Sequence, residues 1–441
     1  DSIFMNPVGV LDFKGLSTEV LYFKELQEKS GVKMEVIRHG KYKSAVEPYL
    51  ENNMSEANRS QLTSLLQSLW NSMVTDISNT RGISASDLNS IADTLGGRTP
   101  KYAKKSGLVD DIVFYDEYEN KLSNALDIKK EDKINISTLD DYVKYSNKKT
   151  LKSGDDKIAV VFAQGEIFYG EGGPNIIGQG IINEALIKAR EDESVKAIVL
   201  RVNSPGGSAL TSDIIWREVA LTKKVKPVIV SMGNVAASGG YYIAAGADKI
   251  FAEPTTITGS IGVFGTVPNI TELADNIGIN AEQVGTNKNA IDYSLFEPMQ
   301  ESFKNQIQES IEDTYQTFLQ RVSEGRNMTM AQVDSVAQGR VWSGTEALEI
   351  GLVDELGNLD DAISAAAEIA SLKSYSVKKF PRYKSGFERF MEDLEGASLQ
   401  LKDNLLKNEI GDEAYMILKE LKFFKEQKGI QARMPFALDI K

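Results

Sequence analysis

The chain has 441 residues, 41% hydrophobic and 26% charged, which suits a globular protein of two or more domains that can bury a core without cross-links. It has no cysteine and a single histidine, His39, so disulfides, thiol catalysis and Cys- or His-rich metal centres are excluded. A net charge of −13 argues against a nucleic-acid groove, and no apolar run is long enough to cross a bilayer.

Taken in chain order, residues 1–114 form a first unit. It opens on "DSIFMNPVGVLDFKG" and continues through "SGVKMEVIRHGKYKSAV" to a long amphipathic stretch from Ser55 to Thr80 with apolar residues at helical spacing. "RGISASDLNSIAD" and "AKKSGLVDDI" close it. The same succession returns later as "DKIFAEPTTITGSIG", "IGINAEQVGTNKNAI", a helical stretch from Pro298 to Arg326, "RNMTMAQVDSVAQ" and "ALEIGLVDEL". So many ordered matches identify an internal repeat, and they set Lys43 against Lys288.

Residues 115–156 are charged and polar, a helical linker segment. Residues 157–370 hold the second unit, which has an upstream half with no counterpart in the first. "KIAVVFAQGEI" reads as a buried strand, "IINEALIKARED" as a helix, and "VKAIVLRVNSPGG" as a strand and turn. "SDIIWREVALTKK" reads as a helix, "KPVIVSMGNVAASGG" as a strand and loop, and "GYYIAAGADKI" as a helix and strand. This alternation predicts an α/β layer architecture with a largely parallel sheet. The first unit begins where its own strand-serine-glycine half would end, so the natural polypeptide is expected to extend further at its N-terminus. Residues 371–441 form a Lys/Glu-rich tail with helical spacing in "YMILKELKFF", a packed surface helix or an oligomer contact. Its mixed charge disfavours a membrane-surface helix.

Ser238 falls between a predicted strand end and a predicted helix start, where unpaired N–H groups favour developing negative charge. Gly239 can offer its N–H to an oxyanion and admit a substrate backbone. "NSPGGS", from Asn203 to Ser208, ends another strand of the same unit, with Pro205 fixing a turn and Gly206 and Gly207 free of side-chain obstruction. In a parallel sheet both loops lie at the carboxyl ends of strands, where such sheets place their sites. Either glycine loop alone is more often a plain turn, and neither fits the G-x-S-x-G elbow, because Ala236 stands two residues before Ser238. A serine hydroxyl also needs a base at neutral pH. His39 is the only imidazole, and an Asp/Glu-supported triad through it is one option, although in the charged stretch "VIRHGKYK" at a strand end it reads as an exposed loop histidine. A buried lysine is the other option, although most lysines are solvated surface charges.

Together "RVNSPGGS", "SMGNVAASGGYYIA", "PTTITGSIGVFG" and "GKYKSAVEPY" resemble the signal peptide peptidase A family in its long, two-repeat form. The resemblance covers essentially the whole chain. It implies a membrane-anchored serine protease with the crotonase and Clp-protease-like fold, its first repeat here incomplete. It also implies a Ser-Lys dyad, with nucleophile and base drawn from different repeats. On that basis Ser238 is the nucleophile, Lys43 the general base, and Ser260 the hydroxyl that orients the lysine. Gly239 and Gly207 form the oxyanion hole. No cofactor or metal is expected. The expected partners are apolar peptides such as signal peptide remnants, and further copies of the chain, with a tetrameric bowl as the suggested assembly. The expected location is the bacterial cell envelope, with an inner-membrane anchor in a segment absent from this chain. "IGVFGTV", from Ile261 to Val267, is a candidate groove lining, although core packing is its commoner use. Lys288 remains a rival base, because a lysine at that position serves in single-repeat relatives; "YKSAVEP" matches the long-form pattern better than "NKNAIDY" does.

Two other functions fit parts of this pattern. An acyl-CoA-processing crotonase would use paired N–H groups on a thioester oxyanion, but would need a CoA pocket and catalytic carboxylates and would have no use for Ser238. An inactive assembly scaffold would have no use for the serine, the lysine or both glycine loops.

Overall fold

The run from Ile158 to Val161 is apolar on both faces because both faces are covered. In a computed structural model that describes residues 2–128, 134–149, 155–287, 289–290, 293–381 and 431–433, it lies within the strand Lys157–Gln164. That strand pairs in parallel with Val195–Ser204 on one side and Ser376–Phe380 on the other. Val195–Ser204 pairs in turn with Val228–Ala237, again in parallel. The expected α/β layers with a mainly parallel sheet are therefore present.

Val228–Ala237 is a branching strand. Its first half pairs with Lys249–Ala252 and its last residues with Ile257–Gly259. The edge strand Val341–Ser343 then runs antiparallel to Ile257–Gly259. The helices Gln179–Glu191, Ala209–Lys223 and Gly239–Ala244 cover one face of this sheet with residues such as Leu186, Ile215 and Tyr241. The helix Leu359–Ile369 covers the other with Ala362, Ile363 and Ala366. Full burial of each large aliphatic side chain contributes about 1.5–3 kcal/mol relative to exposure, so this double-sided core is the rigid base for whatever its strand ends carry.

A second sheet joins the two units. Lys33–His39 of the first unit pairs antiparallel with Val263–Asn269 of the second over seven residues, from Val263 opposite His39 to Asn269 opposite Lys33. Gln431–Arg433 pairs with Val263–Asn269 through Phe264 and with Gly206–Ser208 on its other side. The turn expected at "SPGG" thus ends in a short strand, because its glycines have partners on both sides: Ile167 and Ala432 flank Gly207.

The helix Glu56–Arg81 strengthens the junction. Ser55 caps its first turn by accepting from Asn58 N–H, and Gly82, with φ 66°, ends it in the left-handed conformation that glycine adopts without penalty. Its buried Leu65 and Leu69 pack against Ala237, Ile257 and Val341 of the second unit.

The repeat is visible in three dimensions. Phe4 pairs with Asp111 in a two-stranded parallel sheet, just as Phe251 pairs with Glu355. Arg81 grips both oxygens of Asp110, and Arg326 those of Asp354. Those aspartates accept from Ile3 N–H and Ile250 N–H respectively. Lys288 and the tail stretch "YMILKELKFF" lie outside the described residues. No described helix is long and apolar enough to cross a membrane.

Candidate active site

The end of Val228–Ala237 delivers Ser238 at a sharp turn. Its φ of 56° and ψ of −117° are rarely adopted by a residue with a side chain, a strain of about 1–3 kcal/mol that the surrounding core sustains. Ser238 N–H donates to Gly259 O, and Ser238 O accepts from Tyr242 N–H in the helix Gly239–Ala244. That helix is wholly buried, and Tyr241 pins it by donating its hydroxyl to Leu352 O. Burial pushes the Tyr241 hydroxyl well above the ordinary tyrosine range, so it remains a donor at any working pH. Tyr242 is pushed up likewise, by burial and by the carboxylate of Asp213 that accepts its hydroxyl proton.

Lys43 arrives from the other unit. The strand Lys33–His39 ends beside Val263, the chain turns at Gly40, and the lysine enters the second unit fully buried. Its Nζ lies 2.9 Å from Ser238 Oγ, 3.0 Å from Ser260 Oγ and 3.1 Å from Ser260 O. Ser238 and Ser260 are also fully buried. Ser260 has φ 51° and is fixed by donating its N–H to Arg340 O at 2.6 Å. These three residues, 217 positions apart at their widest, meet at one point.

The arrangement has specific chemistry. A neutral amine has two N–H bonds and one lone pair. In that form Lys43 could give its two hydrogens to Ser260 O and Oγ and present its lone pair to the Ser238 hydroxyl.

The two glycine loops also meet. A Cβ on Gly240 would lie 2.7 Å from Ser204 O, so "ASGG" and "SPGG" touch through backbone that only glycine permits. Gly239 opens the first turn of its helix, where N–H groups lack intrahelical acceptors. Gly207 lies in the neighbouring strand with φ 151°. Ser204 Oγ accepts from Gly206 N–H and steadies the turn.

His39 is neither an exposed loop residue nor a partner of Ser238. It ends its strand 2.6 Å from Glu312 and stacks on Tyr315. Among the described residues, no group of three or more His, Asp or Glu side chains could hold a metal ion.

Sequence reasoning missed the frame around the lysine. Gly339, with φ 80°, lies so close that a Cβ there would come within 2.7 Å of Lys43 N, and one on Gly262 would come within 3.3 Å of Lys43 Cδ. Buried Gln61 bonds to the loop that carries the lysine. The "QGR" of Gln338 to Arg340 was a legible turn signal, but nothing in the sequence says which side chain that turn encloses.

The profile of Peptidase family S49 matches residues 1–129 and 220–373. Protease 4 of Haemophilus influenzae is 40% identical over 84% of this chain and 62% of its own length. Protease 4 of Salmonella typhi is 38% identical over 90% of this chain and 65% of its own. The chloroplastic serine protease SPPA of Arabidopsis thaliana is 33% identical over 98% of this chain and 64% of its own. The chain thus spans a little under two thirds of these relatives. Among solved structures, a ClpP1 chain from Listeria monocytogenes aligns at 17% identity with a TM-score of 0.32, over 46% of this chain and 94% of its own. With its profile matched in both units, the chain belongs to Peptidase family S49.

Proposed function

We propose that the chain is a serine endopeptidase in which Ser238 of the second unit and Lys43 of the first form the catalytic dyad. The observation that carries this reading is the 2.9 Å contact between the buried Lys43 amine and Ser238 Oγ. Lys43 accepts the hydroxyl proton as Oγ attacks a peptide carbonyl, and Ser260 holds the amine in line. The N–H groups of Gly239 and Gly207 stabilise the tetrahedral oxyanion. The lysinium then protonates the leaving amine. Water activated by the same lysine releases the acyl group. None of these steps calls for a cofactor.

The substrates on this reading are extended apolar peptides such as signal peptide remnants. Support comes from Gln431–Arg433, whose backbone lies as a strand between Val263–Asn269 and Gly206–Ser208, with Ala432 opposite Gly207. A slot of strand width beside the serine suits a main chain hydrogen-bonded on both sides, with side chains adding selectivity. A fluorophosphonate carrying an alkyl chain tests the reading: one adduct is expected by intact mass, mapped to Ser238. An adduct elsewhere, or none, would overturn it.

The repeat also favours self-association. Lys33–His39 pairs with Val263–Asn269, yet the equivalent stretches of the opposite units, residues 278–284 and 16–22, form no strand. Val284 and Leu21 within them are exposed. Pairing these stretches between copies would repeat the junction head to tail, which gives a ring where the rotation between copies closes. Sedimentation should show an oligomer that Val284→Lys dissociates; a monomeric wild type would refute it. The protein's place, on the same reading, is the bacterial cell envelope, held at the inner membrane by a segment outside this chain. Fractionation of cells making the full-length protein checks this, and recovery in the soluble fraction would count against it.

A further inference from the structure

We infer that Gln61 is a positioning residue that sets the approach of Lys43 to Ser238 across the junction of the two units, an inference that rests on the Ser-Lys reading above. Gln61 is fully buried on Glu56–Arg81, a helix that also brings Leu65 and Leu69 and the hydroxyls of Ser64 and Ser68 to the junction. Its Oε1 accepts from Val341 N–H at 3.3 Å, which fixes the orientation of the amide. Its Nε2 then faces Tyr42 O at 3.0 Å, Ser44 Oγ at 2.8 Å and Asn58 Oδ1 at 3.1 Å, three acceptors sharing two hydrogens.

Both ends of this amide act one residue from the chemistry. Tyr42 and Ser44 flank the lysine. Val341 is paired with Gly259, which precedes Ser260, and follows Arg340, whose carbonyl holds Ser260 N–H. Tyr42 N–H donates to Gln338 O, and Gly339 lies against the Lys43 backbone, so the loops 40–44 and 338–341 interlock. Gln61 closes that frame from the side, with one carboxamide bonded to the backbone of both. A buried glutamine that served packing alone would need only to satisfy its own atoms. This one ties the base loop to the strand that flanks the orienting serine.

Gln61→Met keeps the length and bulk of the side chain and removes every one of these bonds. The charged groups around the loop stay in place: Arg38, which donates to Lys43 O, Arg340 over the Tyr42 ring, and Glu47, which accepts from Ser55 N–H. The rate of labelling by an alkyl fluorophosphonate is measured against pH for wild type, Gln61→Met and Leu65→Ala. Leu65 lies one turn further along the same helix, is fully buried, and packs on the same junction, Val341 included, but makes none of the hydrogen bonds of the frame. In Gln61→Met the acid limb of the profile is expected to move up by about one pH unit, with about tenfold slower labelling below it. Leu65→Ala should lower thermal stability and leave the limb in place. An unmoved limb in Gln61→Met, or an equal shift in Leu65→Ala, would overturn the positioning role alone. Absence of labelling in wild type would overturn the dyad reading, and this inference with it.

Discussion

Lys43→Met is expected to lower peptide hydrolysis and fluorophosphonate labelling by about 10³-fold, the upper part of the range for a positioned general base. The aliphatic stem of methionine can follow the path of the lysine stem past Gly262 and Gly339, so the docked units should persist. What disappears is the amine between Ser238 Oγ and the two oxygens of Ser260. Those oxygens lose a donor, which costs about 1–3 kcal/mol, and the desolvation cost of the buried amine is relieved at the same time. Thermal unfolding should therefore change little while activity collapses. Lys43→Arg should not rescue, since a guanidinium is larger and stays protonated. Lys288→Met should keep wild-type activity. Full activity in Lys43→Met would remove the lysine from the mechanism and reopen Lys288 as the base.

Gly207→Ala is expected to reduce turnover by about 10²-fold, the scale found when one oxyanion donor is lost. An added Cβ would lie 2.1 Å from Ile167 O and 2.8 Å from Ile167 N, which is backbone and has no rotamer to escape into. At φ 151° the residue is also strained for any side chain. The strand Gly206–Ser208 must move away from Glu166–Ile167, taking the Gly207 N–H with it. Gly173→Ala supplies the control, because nothing lies within 4 Å of its added Cβ and its φ is not positive. Comparison of turnover for the two variants checks the prediction; equal rates would deny Gly207 a role in the oxyanion hole.

Much of this architecture could be read from residue order. The β-α alternation from Lys157 onward follows from apolar runs and helical spacing that local physics fixes. The repeat was legible because Asp110 and Asp354, and Arg81 and Arg326, recur in the same phase. Ser238 and both glycine loops could be picked out because each lies at the end of a predicted strand of the same unit, although either loop alone reads as a plain turn. Lys43 did not. As a residue type it is ordinary, and its burial depends on a seven-residue strand pairing between units that no local pattern encodes. Only the family resemblance singled it out. Gln61 was less visible still, because a glutamine on an amphipathic helix reads as surface until the partner that buries it is placed.

The separation of 195 residues between Lys43 and Ser238 has a consequence for the life of the chain before it is finished. Synthesis proceeds from the N-terminus, so the amine emerges long before the hydroxyl it must meet. Contacts this distant in sequence form late, after the entropy of closing a long loop has been overcome. On the proposed reading, a nascent or half-folded molecule carries a lysine with nothing to deprotonate and then a serine with nothing to deprotonate it. Neighbouring unfolded chains, the most easily cut substrates in reach, are thus safe from it until docking of the two units is complete. On the same reading, division of the dyad between repeats withholds activity much as a propeptide does.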